Sequence, residues 1–252
     1  MEQIIRAKLK EIEQRENVRI LWAAESGSRA WGFASPDSDY DVRFIYVRPR
    51  EDYLKLERTR DVIELPDDGV LDINGWDLDK TLRLLYKSNP TLFEWMNSPI
   101  LYWDRELEER FRPLMEEYFS PQRGLYHYLS MAEGNFKSEF SKDKVKVKRY
   151  FYVLRPVLAC KWILEKGTPP PVPFDALVES ELEEEMKPYI QHLLNLKKNV
   201  PEMKKIMPVS EVNEYLVKSI QEIRMKLAAM PPEPEKDWDV LNRWFQAELE
   251  RS

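Results

Sequence analysis

The 252-residue chain has one cysteine, Cys160, and two histidines, His127 and His192. A single thiol excludes an internal disulfide and a cysteine-built zinc cluster, and two imidazoles are too few for a histidine-rich metal centre. No nucleophile–histidine–acid set can be assembled from these positions, so all three are taken as structural. No stretch approaches the roughly 18 uninterrupted apolar residues of a membrane span. The opening "MEQIIRAKLKEIEQREN" is charged throughout and has no apolar signal core. Together these absences point to the cytoplasm, a reducing compartment, and to no membrane partner. A basic surplus is missing as well. The formal net charge is −6, so the molecule as a whole does not attract nucleic acid, and any such contact must come from a local patch.

What is present suffices for a sizeable core: 43% of residues are hydrophobic, and 33% are charged, in keeping with well-solvated helices. Ile5, Leu9 and Ile12 lie at helical spacing within 3–15. "VRILWAA" (18–24) is a short apolar, β-prone run that ends at Gly27-Ser28. In "YDVRFIYV" (40–47) the residues alternate, with Val42, Phe44 and Tyr46 on one face and Asp41, Arg43, Ile45 and Val47 on the other. Residues 60–65 and 69–76, joined across Pro66-Asp67-Asp68-Gly69, predict a hairpin. From Asp77 the period becomes helical, and Asn89-Pro90 ends that helix. Beyond residue 90 the pattern predicts helices only, near 91–97, 105–118, 122–140, 145–166, 178–198, 209–229 and 236–250. The chain is therefore expected to be α+β: a mixed sheet flanked by helices over 1–105, then an α-helical domain over 106–252.

The residues that carry chemistry lie in "ESGSRAWGFASPDSDYDVRFIYV" (25–47). Asp39 and Asp41, at i and i+2 on an extended segment, share one face and repel unless a cation joins them or one is protonated. Magnesium suits such a pair, since it is hard, oxygen-seeking and usually shared between one or two carboxylates and substrate phosphates. If the 69–76 strand neighbours 40–47, Asp72 adds a third carboxylate, enough for the two-metal clamp of in-line phosphoryl transfer. Asp77, where the helical period begins, fits a helix N-cap. At Gly27 the main-chain N–H groups are accessible at close range, and the Ser28 hydroxyl can donate to a phosphate oxygen. Arg29 either adds charge to the same pocket or makes a surface ion pair. The loop is no Walker A motif, because the spaced second glycine followed by lysine is absent.

Gly27-Ser28, a ten-residue gap, Asp39-Tyr40-Asp41 entering an apolar strand and a later strand aspartate resemble the signature of the DNA polymerase β nucleotidyltransferase superfamily. More narrowly, 25–47, "INGWDLDKTLRLLYKSNPTLFEW" and "KRYFYVLRPVLACKWI" are similar to the bacterial and phage RlaP-like group, named for its association with RNA ligases in RNA repair. The resemblance spans roughly residues 20 to 180. It implies Mg²⁺- or Mn²⁺-dependent transfer of a nucleoside monophosphate from an NTP to an acceptor hydroxyl. It assigns catalysis and metal binding to Asp39, Asp41 and Asp72, with Asp77 of "GWDLDK" the alternative to Asp72 by the subgroup's pattern, and triphosphate contact to Gly27 and Ser28. RNA is the expected acceptor, in a pathway shared with an RNA ligase. A protein or small-molecule hydroxyl, or a non-catalytic nucleotide sensor, is the alternative.

"KSEFSKDKVKVKRYFYVLR" (137–155) carries seven basic residues against Glu139 and Asp143. It is either a solvated helix entrance or, with Lys148 and Arg155 as its reaching cations, a nucleotide or acceptor contact. Basic residues interleaved with aromatics suit single-stranded nucleic acid.

Overall fold

The computed structural model describes residues 1–57, 59–66, 69–139, 143–199 and 205–251. The Asp67-Asp68 turn and residues 140–142 of the basic segment lie outside them. Contacts divide the chain into two compact units: Met1–Ala30, Asp39–Tyr118 and Pro234–Ser252 form the first, Trp31–Ser38 and Phe119–Glu233 the second.

The first unit opens with α1 (Glu2–Glu16), closed by Asn17 in the left-handed region, then β1 (Arg19–Glu25) and the single turn α2 (Gly27–Ala30). After 31–38 come β2 (Tyr40–Val47), α3 (Arg50–Tyr53), β3 (Val62–Glu64), β4 (Leu71–Asp77), α4 (Leu78–Tyr86), α5 (Pro90–Met96), β5 (Leu101–Asp104) and α6 (Leu107–Tyr118). The strands form one mixed sheet in the order β3-β4-β2-β1-β5, in which β2 and β4 run parallel and the other neighbours antiparallel. Alternation decides its faces. Val42, Phe44 and Tyr46 of β2 join Leu71 and Ile73 of β4 in a core that also holds Ile5, Leu9 and Ile12 of α1. Burying those three helical side chains contributes on the order of 1.5–3 kcal/mol each, which fixes α1 to this face and leaves the other face to Asp41 and Arg43.

In the second unit α7 (Pro121–Glu139) packs along α8 (Val147–Lys166), with β6 (Val145–Lys146) just before it. Then α9 (Phe174–Glu181), α10 (Lys187–Asn199), β7 (Lys205–Ile206) and α11 (Ser210–Ala228) follow, and α9, α10 and α11 all touch α8. Cys160 is wholly buried in α8 and burial pushes its thiol pKa upward, so it is a packing residue and no nucleophile. The chain returns to the first unit for α12 (Trp238–Glu250).

Two expectations are corrected. Strands do occur after residue 90: β5 pairs antiparallel with the free edge of β1, and β6 with β7. Four residues, "LYWD", are too few to show a period, and the strand exists through its non-local partner. The helix expected over 178–198 is two. Leu182 is extended (φ −89°, ψ 129°), and α10 begins at Lys187 so that Pro188 falls in its first turn, the one place where its missing N–H breaks no helical bond. Among the described residues no helix is long and apolar enough to cross a membrane.

Candidate active site

Asp41 is held by its main chain before its side chain does anything. Its N–H donates to Glu25 Oε1 (2.8 Å), and its carbonyl accepts from Ser26 N–H (2.8 Å). Glu25, the last residue of β1, is fully buried, and its second oxygen accepts from the Tyr102 hydroxyl of β5. The same residue's carbonyl accepts from Ser98 Oγ at 2.5 Å. Strands β1 and β5 thus converge on the start of β2. Gly27 follows with φ +59°, and a Cβ there would fall 2.0 Å from Asp41 Oδ2. Its missing side chain is the space into which the Asp41 carboxylate fits.

The parallel register then sets Asp72 directly beside Asp41. Arg43, two residues on along the same face of β2, spans the pair. Its Nη2 donates to Asp41 Oδ1 (3.0 Å) and Asp72 Oδ2 (2.6 Å), and its Nη1 to the carbonyls of Val42 (3.1 Å) and Asp72 (2.9 Å). Burial pushes the Asp41 carboxyl pKa up; Arg43 opposes the shift, while Asp72 and Asp39 add to it, and burial outweighs the arginine. Burial raises Glu25 likewise, against its hydrogen bonds from Tyr102 and the Asp41 N–H. Asp39 is exposed at the entrance to β2, close enough to act on Asp41 electrostatically. Its carbonyl accepts from Arg29 Nε (3.0 Å), whose guanidinium lies 3.7 Å over the Tyr40 ring.

A profile of the RNA repair pathway DNA polymerase beta family matches residues 1–247. The chain belongs to this family. A relative, the "Uncharacterized protein YcgL" of Bacillus subtilis (strain 168), is 45% identical over 245 residues, which are 96% of this chain and 94% of the relative. Among solved structures, a nucleotidyltransferase-like protein from Exiguobacterium sibiricum 255-15 aligns at 14% identity with a TM-score of 0.33, covering 91% of this chain and 75% of that one.

The polymerase beta family implies a divalent metal, and the donor set here fits one. Asp41 and Asp72 are hard oxygen ligands in register, Asp39 stands at the strand entrance, and the glycine cradle leaves Asp41 Oδ2 room. Among the described residues, however, no three His, Cys, Asp or Glu side chains already stand as a metal-holding group. Arg43 is the cation that joins Asp41 to Asp72.

Asp77 is differently employed. It caps α4, accepting from Asp79 N–H (2.9 Å) and the Tyr53 hydroxyl (2.9 Å), with Arg48 Nε 3.8 Å away. It belongs to the core side of β4, opposite to Asp72, and burial lifts its carboxyl pKa to about 6. A cavity of about 710 Å³ adjoins it, lined by Arg48, Tyr53 and Arg83 among others. Five residue steps along the strand, roughly 17 Å, separate it from Asp72.

In the second unit Lys148 is half-buried near the start of α8, and Arg155 is 2% exposed with its guanidinium 4.6 Å from the Trp31 ring centre. Tyr152 meets the same indole edge-on at 6.1 Å. Sequence reasoning missed Glu25, Tyr102, Trp31 and the bridging part of Arg43. Two had a signal: a carboxylate ending the apolar run "ILWAAE", and a cation at i+2 from an aspartate on one strand face. Tyr102 and Trp31 had none, because their partners are distant in the chain.

Proposed function

We propose that this protein is a metal-dependent nucleotidyltransferase that moves a nucleoside monophosphate from an NTP to an acceptor hydroxyl, and that the acceptor is an RNA end in a repair pathway shared with an RNA ligase. The observation that carries the reading is the in-register Asp41–Asp72 pair against the Gly27 cradle, in a chain of this family.

Asp39, Asp41 and Asp72 are assigned as metal ligands and catalytic carboxylates. The acceptor oxygen attacks the α-phosphorus, and an O–P bond forms as the bond to the bridging oxygen of pyrophosphate breaks. The electron pair leaves with pyrophosphate, and the hydroxyl proton passes to Asp72. Magnesium or manganese, when bound, supplies the Lewis acidity that eases both events. The Gly27 main chain and the Ser28 hydroxyl seat the triphosphate. Arg29, already tied to the Asp39 carbonyl, keeps that carboxylate's loop in place and lends positive charge. Residues 1–105 carry the chemistry and 106–252 the further nucleotide and acceptor contacts. There Lys148 acts directly, and Arg155, buried, acts through Trp31.

The test is transfer of label from each α-labelled NTP, with Mg²⁺ or Mn²⁺, into RNA or protein acceptors, beside an Asp39→Asn/Asp41→Asn control. Label in RNA that the control lacks, with RNA binding that weakens steeply with salt, is the expected result. Label in protein instead would change the acceptor. An active control, or no pyrophosphate release with any acceptor, would overturn the proposal.

A further inference from the structure

The geometry points to Arg43 as a resident counter-cation: it holds the Asp41–Asp72 site charge-compensated without metal, and it must let go for a divalent ion to enter. The inference rests on the nucleotidyltransferase reading and adds to it what governs metal entry.

Three observations carry it. First, the arginine is shared between the two side chains, with one nitrogen, Nη2, contacting both Asp41 Oδ1 and Asp72 Oδ2. A bidentate strut dedicated to one carboxylate would leave the other free; this one spends its donor on the bridge itself. Second, Arg43 is itself largely sheltered, with its side chain 15% exposed against 29% for Asp41 and 43% for Asp72. Solvent and salt screen such a pairing less than they would an exposed one. Third, Arg43 comes from the middle of β2, two residues from Asp41, and is anchored through Nη1 to two carbonyls. Its guanidinium cannot swing far while the strand is in place, but rotation about its own side-chain bonds can break the two carboxylate contacts.

A divalent ion between Asp41 and Asp72 would meet this guanidinium at close range. Like charges a few ångströms apart in a partly buried site oppose each other strongly. Bare metal therefore binds weakly, and an ion arriving with the added negative charge of a triphosphate binds better. Metal and nucleotide occupancy become linked through one side chain.

The experiment measures Mn²⁺ affinity of the purified full chain by titration calorimetry and by the electron spin resonance of free Mn²⁺. It is done with and without a non-hydrolysable NTP analogue, for wild type, Arg43→Gln and Arg43→Lys. Gln removes the charge and Lys keeps it. Expected is Mn²⁺ binding tighter by about tenfold or more in Arg43→Gln without nucleotide, and near-wild-type affinity in Arg43→Lys. Wild type and Arg43→Lys should gain strongly from the analogue, and Arg43→Gln little. If Arg43→Gln fails to fold without metal, Mn²⁺ should restore its folding, because the ion replaces the lost charge. Unchanged or weaker Mn²⁺ binding in Arg43→Gln, or no rescue of a misfolded variant, overturns the inference, since a mere strut for Asp72 would weaken the site when removed. Wild type that binds Mn²⁺ with the analogue, while Arg43→Gln binds bare Mn²⁺ no tighter than wild type does, sinks this inference alone. No Mn²⁺ binding by any form, with or without the analogue, sinks the nucleotidyltransferase reading with it.

Discussion

Replacing Gly27 with alanine separates two costs that usually travel together. The residue has φ +59°, where a Cβ costs about 1–2 kcal/mol of backbone strain. The new methyl group would also lie 2.0 Å from Asp41 Oδ2 and 2.8 Å from its Cγ, so the carboxylate must retreat by more than an ångström. It cannot do so by moving its main chain cheaply, because Glu25 and Ser26 hold both the N–H and the carbonyl of Asp41. A misplacement of about 1 Å in a reacting constellation is worth about 10²-fold in rate. Gly32 provides the control. Its φ is +84°, and a Cβ there meets nothing within 4 Å. Gly32→Ala should thus lose about 1–2 kcal/mol in urea unfolding, and Gly27→Ala at least as much, because the shared backbone strain is joined there by the contact with Asp41. Only Gly27→Ala should also lose about 10²-fold in kcat/KM for label transfer and weaken Mn²⁺ binding. A folded Gly27→Ala protein with transfer within a few-fold of wild type would refute the cradle argument outright. Equal activity loss in both variants would show that strain, not displacement of Asp41, is what matters.

Metal binding tells Asp77 from Asp72, and Asp77 carries a pH dependence of its own. The folded Asp77 pKa of about 6 lies above the ordinary 3.8, so the native state holds the extra proton between these values and stability falls as pH rises through that window. The fall is worth about 3 kcal/mol. Asn, which caps a helix as well as Asp, should therefore stabilise the protein by an amount that grows from near zero below pH 3.8 to about 3 kcal/mol above pH 6, with Mn²⁺ binding intact. A pH-independent difference in urea midpoints, or lost Mn²⁺ binding, would count against this. Asp72→Asn should lose metal affinity. Glu25→Gln preserves an acceptor for the Asp41 N–H and removes a buried charge, so its stability at pH 8 should equal or exceed wild type, with transfer retained. Glu25→Ala strands that N–H and should cost about 1–3 kcal/mol; equal urea midpoints for the two variants would contradict the hydrogen-bond account.

Much of this was legible in the chain because it is local. The β2 alternation told which residues share a face, the Asp79 N–H cap on Asp77 followed from a side-chain type at a helix start, and the Ile5-Leu9-Ile12 stripe is buried as its spacing requires. What stayed hidden is non-local. The four residues of β5 have no period of their own, yet they deliver Tyr102 to Glu25 across 77 positions. Trp31 reaches Arg155 across a still longer separation. Arg43 was visible as a face-mate of Asp41, but its bridging role depends on Asp72 arriving opposite, which no local pattern states.

That arrival depends on register, and a small feature on the buried side controls it. Parallel pairing places Tyr40 opposite Leu71, Val42 opposite Ile73 and Phe44 opposite Gly75, all on the core face, and Asp41 opposite Asp72 on the other. A slip by one residue would send Asp72 into the apolar core and bring Leu71 and Ile73 out to the site, so the hydrophobic pattern forbids it. A slip by two would keep the faces but pair Phe44 with Ile73 or Asp77. Glycine at 75 argues against that, because a Cβ there would lie 2.1 Å from the Phe44 ring. The ring occupies the space that only this glycine leaves on β4, and any residue with a side chain opposite would displace it. The carboxylate pair on the site face is therefore positioned by an aromatic ring and a missing side chain on the core face, three residues further along each strand. A residue with no chemistry of its own sets the distance over which Arg43, or the ion that replaces it, must bridge.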